Sequence, residues 1–168
     1  VTHAATRPDD GTHADPRPDG GAGRRSVPTR AQLDAWRQFL RAHATLTRTL
    51  EAELVAEQAL SLAAYDVLVQ LAEAPGRRLR MTELADAVLL SRSGITRLVD
   101  RLERDGLVSR CRVAGDGRGV AATLTEAGVD RLRTAARTHL AGVRAHFAER
   151  LDDADLAALE RITRRLAG

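Results

Sequence analysis

Ten arginines and six acids lie between Arg77 and Arg118, a local balance of +4 in a chain of 168 residues whose whole formal charge is +3. Residues 29–76 carry −2 and residues 119–168 carry +1, so the excess is confined to the middle. All 26 basic residues are arginine, so what carries information is where they sit rather than how many there are. A localised basic surface is the electrostatic footprint of a polyanion partner. The other residues able to do chemistry are few. Cys111 is the single cysteine and can form neither an internal disulfide nor a thiolate zinc site alone; in a strand-like segment it reads as a small apolar filler rather than a redox sensor. His139 and His146 lie seven apart on one side of a helix and could join His43, but no carboxylates stand at matching spacing for zinc. The string Gly115-x-Gly117-x-Gly119 leads into a strand-like stretch, not a helix N-terminus, which argues against a phosphate loop. No Ser/His/Asp set, paired carboxylates or metal-ligand cluster stands at a useful spacing, so neither an enzyme nor a bound cofactor is expected. With 2% aromatic residues the chain also lacks a stacking platform for single-stranded nucleic acid.

Elements must place those arginines, and a composition rich in Ala, Leu and Arg favours helices. In residues 29–58, Leu33, Trp36, Leu40, His43/Ala44, Thr47, Leu50 and Leu54 recur every three or four positions without Pro or Gly, which predicts one long amphipathic helix with Trp36 in its core face. Its length exceeds what a small domain needs, so a second helix is expected along it. Residues 62–74 form a second helix stopped by Pro75-Gly76; a short extended stretch at 79–81 leads to Thr82 as N-cap of a helix over 83–88. Ser91 then caps a helix whose apolar stripe is Ile95, Leu98, Val99 and Leu102, leaving Arg92, Ser93, Thr96, Arg97, Asp100, Arg101 and Arg104 on other faces until Gly106 stops it. Two short helices around a tight turn are a helix-turn-helix. Segments 107–113 and 120–124 flank a Gly-rich turn, a hairpin that gives the winged form, in which a helix enters the major groove and the hairpin reaches the flanking backbone or minor groove. Thr125-Glu126 caps a long helix with Val129, Leu132, Ala136, Leu140, Val143 and Phe147 on one stripe, and Asp152-Asp153 opens a last one. The fold class is mainly α with a small β wing.

The order of these elements and the strings LAAYDVL, MTELADAVLLSRSGITRLVDRLERDGLV, GDGRG and LTEAG resemble the MarR family of transcriptional regulators over about residues 30–166, most specifically over 82–128. The resemblance implies a homodimer whose first and last helices interdigitate, binding a near-palindromic double-stranded operator, a repressor released by a small-molecule effector of anionic or phenolic type. It implies a reading helix over 91–105, with Ser91, Arg92, Ser93, Thr96, Arg97 and Arg101 at the DNA. It further implies Arg118 at the wing tip, oriented by Asp116; Gly119 follows Arg118 where family members often carry a second arginine. Asp66, Arg97 and Arg110 match positions that urate-responsive members use for their ligand, although the tryptophan of an extra N-terminal helix in those members has no counterpart.

Residues 1–28 hold four Arg against four Asp, with Pro and Gly and almost no apolar side chains, and read as a disordered tail outside the resemblance. The remainder divides into a winged helix-turn-helix lobe at 62–124 and dimerisation helices at 29–58 and 125–168. No apolar run is long enough to span a bilayer and no signal-peptide core is evident, so a cytoplasmic protein is expected, without a membrane partner. The competing function is a winged-helix module for protein assembly that lacks specific DNA binding; salt dependence separates the two.

Overall fold

The computed structural model describes residues 27–113 and 119–168. The expected tail therefore falls almost wholly outside the described residues, as do Asp116 and Arg118. Helix α1 spans Arg30–Gln58 and opens on a reciprocal cap, the Thr29 hydroxyl accepting from the Gln32 N–H while the Gln32 side chain accepts from that of Thr29. It ends at Ala59, which takes a left-handed conformation, and the chain bends by 85° into α2, Leu62–Glu73. The Glu51 carboxylate accepts the Leu62 N–H across that bend and the Ser61 hydroxyl accepts from Ala64, so both the bend and the helix start are fixed by side chains.

Pro75 and Gly76, the latter at φ 64°, turn the chain into β1, Arg78–Arg80. Here the structure corrects two expectations. The extended stretch lies one residue earlier than expected and is a true strand, pairing antiparallel with Ala121, Ala122 and Thr123. Thr82 is not the N-cap of the next helix: α3 covers Met81–Ala87, and the Glu83 carboxylate reaches back to the Arg80 N–H, so the helix starts earlier. After α4, Arg92–Arg104, strands β2, Val108–Arg112, and β3, Val120–Leu124, complete a sheet of order β1-β3-β2.

Helix α5, Glu126–His146, is capped by Thr125, whose hydroxyl accepts from the Gly128 N–H and donates to the carbonyls of Gly106 and Leu107. Gly128 itself has a steric reason: a Cβ there would collide with the Leu107 carbonyl oxygen and Leu124. Asp152 caps the last helix, α6, Asp153–Ala167.

Leu54, Val67, Leu68, Leu71, Leu84, Ile95, Val99 and Val108 are the large side chains fully out of water, and all but Leu54 lie between α2 and β2. The ends of the long helices are different. In α1 only Leu50 and Leu54 are buried, and α6 buries no residue. Trp36 is 55% exposed in the single chain and stacks on Phe39 at 6.1 Å. No single helix among the described residues is long and apolar enough to cross a membrane.

Candidate nucleic-acid interface

Helix α4 separates its two jobs by face. Ile95, Leu98, Val99 and Leu102 are buried against the lobe, while Ser91, Arg92, Ser93, Thr96, Arg97 and Arg101 are exposed. Ser91 is the N-cap: its hydroxyl accepts from the Gly94 N–H at 3.1 Å and lies 3.3 Å from the Ser93 hydroxyl. That bond satisfies one orphan donor and sets where the helix begins, so Ser91 also positions the side chains after it. Thr96 donates its hydroxyl to the Arg92 carbonyl at 2.8 Å, one turn back along the helix. Neither Arg92, Arg97 nor Arg101 makes an ion pair among the described residues, so their guanidinium groups face solvent uncompensated. Arg104, absent from the expected site, extends the same basic surface; its Nε donates to the Asp100 carbonyl.

Arg110, expected beside Asp66 and Arg97 in a ligand groove, does something else. From β2 it binds the Asp100 carboxylate at 2.5 Å, lies 3.6 Å from that of Glu103 and donates to the Thr96 carbonyl at 3.1 Å, while its backbone N–H donates to Glu103. With the Arg110 side chain only 25% exposed, these bonds fasten the wing sheet to the reading helix. Two acids on one face of an otherwise basic helix were the sequence signal for this clamp, and spacing alone did not say which arginine would meet them. The three ligand candidates are not brought together. Asp66 borders a shallow groove with His43, Arg48 and Glu51, Arg97 lies in another with Ala63, Leu90 and Arg101, and Arg110 lines a third of about 490 Å³ with Arg80, Met81 and Thr96.

Asp66 faces α5 instead. Burial pushes its carboxyl above the ordinary range, partly offset by His139, and burial likewise holds the His139 imidazole below its usual value. The His139 ring meets that of Tyr65 tilted by 37°, with centroids 4.5 Å apart, and its Nδ1 is buried without a hydrogen-bond partner among the described residues. His146 bonds Glu53 at 2.6 Å, so His139 and His146 have different partners, a ring and a carboxylate. No group of three His, Cys, Asp or Glu that could hold a metal occurs among the described residues.

Cys111 corrects another expectation, since it is exposed rather than filling the core. Strand alternation explains this: Val108 and Arg110 turn toward α4, so Ser109 and Cys111 turn out.

An exposed basic helix face, capped at its start and clamped to a three-stranded wing, is a DNA-reading arrangement, and known proteins share it. A family model described as "MarR family" matches residues 60–119. Sco3205, a MarR family transcriptional regulator from Streptomyces coelicolor solved in complex with DNA, is 35% identical, with a TM-score of 0.80 over 86% of this chain and 90% of that one. The chain belongs to the MarR family. AbsC, a MarR family regulator from the same organism, is 36% identical, with a TM-score of 0.77 over 84% of this chain and 95% of its own. The HTH-type transcriptional repressor YetL of Bacillus subtilis (strain 168) is 39% identical over 77 residues, 46% of each chain. This MarR protein is thus a DNA-binding transcriptional regulator with a repressor among its homologues, and its family is not one of enzymes.

Proposed function

We propose that the protein is a homodimeric repressor that reads a near-palindromic duplex through α4 and leaves it when a small anionic effector binds. The observation that carries the reading is the exposed run of Arg92, Ser93, Thr96, Arg97 and Arg101 opposite a fully buried apolar stripe. Arg92 and Ser93, in the first turn, are assigned to base edges, where one bidentate arginine contact discriminates by about 1–3 kcal/mol. Thr96, Arg97 and Arg101 follow along the groove, Ser91 sets the helix start, and Arg118, oriented by Asp116, is assigned to the wing tip and the flanking minor groove or backbone. Residues 62–124 act as the reading lobe and residues 29–58 and 125–168 as dimerisation helices, which supplies cover for the exposed faces of α1 and α6. Two lobes then sit about one helical turn of DNA apart.

Of the three ligand candidates, Arg97 is best suited to an effector that competes with DNA, because it makes no ion pair among the described residues whereas Arg110 is engaged by Asp100 and Glu103. Asp66 would act on such a ligand only from a neighbouring groove.

Titrating the protein with the duplex upstream of its own coding region across a salt series tests the reading. Affinity is expected to fall steeply and linearly on a logarithmic salt scale while preference over scrambled duplex persists. Arg92→Ala should relax preference at one base position per half-site, and Arg118→Ala should weaken all duplexes and flatten the salt slope by about one unit. Arg97→Ala should uncouple DNA release from an anionic effector such as salicylate. Variants at all three positions binding like the parent would overturn the interface and favour a protein-assembly module.

A further inference from the structure

The reading helix carries two acids among its arginines, and a negative charge opposes binding on a surface that must meet phosphate. Arg92, Arg97, Arg101 and Arg104 of α4 stand with Asp100 and Glu103, a balance of +2. Residues three and four apart on a helix are neighbours, and an acid so placed pairs with an arginine. Asp100 is three positions from Arg97 and four from Arg104, and all three border one shallow groove with Arg101. Yet its carboxylate takes neither. Arg97 makes no ion pair among the described residues, and Arg104 donates its Nε to the Asp100 backbone carbonyl instead. Glu103 has no basic residue three or four positions away on either side.

What occupies both acids comes from another element. Arg110 of β2 reaches the Asp100 carboxylate with Nη2 at 2.5 Å and the Thr96 carbonyl with the same nitrogen at 3.1 Å, while its Nη1 lies 3.6 Å from Glu103. Its Nε is buried without a partner among the described residues. A guanidinium engaged at both terminal nitrogens and buried at the third is committed to α4 rather than to a phosphate. Strand register fixes it there, since Arg110 pairs with Ala122 and Ala122 with Leu79, the middle row of the sheet. We infer that Arg110 is a positioning residue for DNA binding, which touches no DNA itself: by occupying Asp100 and Glu103 it keeps Arg97 and Arg104 available to phosphates and cancels two charges that would repel them. This rests on the reading of α4 as the DNA-binding helix.

Arg110→Gln uncovers both acids. The full chain should stay folded, because the Asp100 and Glu103 side chains it releases already stand 46% and 40% exposed. Affinity for the cognate duplex, read by fluorescence anisotropy at fixed salt, should fall about 10-fold as Asp100 turns to Arg97 or Arg104 and Glu103 faces the phosphates. Arg110→Lys, which keeps the charge without the fork, should lose about 3-fold. Asp100→Asn then tells positioning from contact and from packing alone. Added to Arg110→Gln it should restore most of the affinity, whereas in the parent, where the carboxylate is already occupied, it should change affinity by less than about 2-fold. Equal gains in the two backgrounds would mean that Arg110 meets phosphate directly, and would overturn the inference. Adding Glu103→Gln to the pair removes every charge from the cluster and strands no carboxylate, so this triple variant decides the matter even where Arg110→Gln unfolds. It should bind at least as tightly as the parent, and weaker binding would overturn the inference. A parent that binds its duplex with an Arg110→Gln variant that binds equally well would overturn the inference alone. A parent that prefers no duplex would overturn it together with the DNA-binding reading beneath it.

Discussion

The lobe from α2 to β3 and the free ends of α1 and α6 are built from similar side chains and end up in opposite states. Leu68, Leu71, Leu84 and Val99 are entirely out of water, whereas Trp36 of α1 is 55% exposed and Leu166 and Ile162 of α6 are 70% and 47% exposed. The lobe closes because its short helices and strands surround one another, so each apolar stripe finds a partner within about sixty residues of chain. The long helices overshoot their own core. The proposed dimer would cover those stripes with a second copy of the chain, and on that reading the difference separates the part of the molecule that folds on its own contacts from the part completed by association.

The strongest way to break that contrast is to charge the uncovered face. Trp36→Asp combined with Ile162→Asp should leave a folded monomer in sedimentation experiments and lower operator affinity by about 100-fold or more, since the second half-site contact is then no longer intramolecular. A dimer that survives both changes would place the interface elsewhere. In the lobe, Leu68→Ala should cost about 2–5 kcal/mol in denaturant unfolding, because the residue is wholly buried among rigid neighbours. At the junction of the two regions, Gly128→Ala should cost about 1–3 kcal/mol by overpacking against the Leu107 backbone, which cannot swing aside as a side chain would.

The smallest effect concerns Asp66 and His139. The folded His139 imidazole lies below its ordinary 6.5, so the unfolded chain takes up the proton first. Its contribution is full above that value and is lost as the pH falls through the window beneath it. Asp66 has the opposite sign: a carboxyl raised above its ordinary 3.8 costs stability at neutral pH, and the cost fades as the pH falls through the raised value towards 3.8. Asp66→Asn should therefore raise the melting temperature near pH 7 with a gain that shrinks by pH 4, and His139→Gln should flatten the acid limb just below pH 6.5. Melting curves across that range read both, and a gain at Asp66→Asn independent of pH would remove the titration from the account.

Periodicity and turn chemistry made α1, α2, α4, the hairpin and α5 legible from the residues, because their signals are local. Of β1 only an extended stretch was legible, one residue late and without its pairing, since Arg78-Leu79-Arg80 is too short to show alternation and pairs with residues some forty positions on. Thr82 misled because the competing cap, Glu83 on the Arg80 N–H, comes from inside the helix. Among the site residues, the exposed arginines of α4 followed from the position of its apolar stripe. The placement of Arg110 depended on which helix face β2 would cross, a tertiary fact that spacing does not carry.

The seating of α5 on the lobe has a mechanical meaning. Thr125 and Gly128 grip the backbone of Gly106 and Leu107, immediately after the reading helix ends, so helix and lobe turn together. At about 1.5 Å per residue, the 21 residues of α5 make a rod about 31 Å long. A tilt of about 5° at its far end swings the junction by about 3 Å, close to the rise of one base pair, about 3.4 Å. In the proposed dimer on DNA, a tilt too small to disturb the packing of α5 would then move α4 by nearly one base-pair step, and spin-label distances between the two copies of α4 would measure that displacement directly.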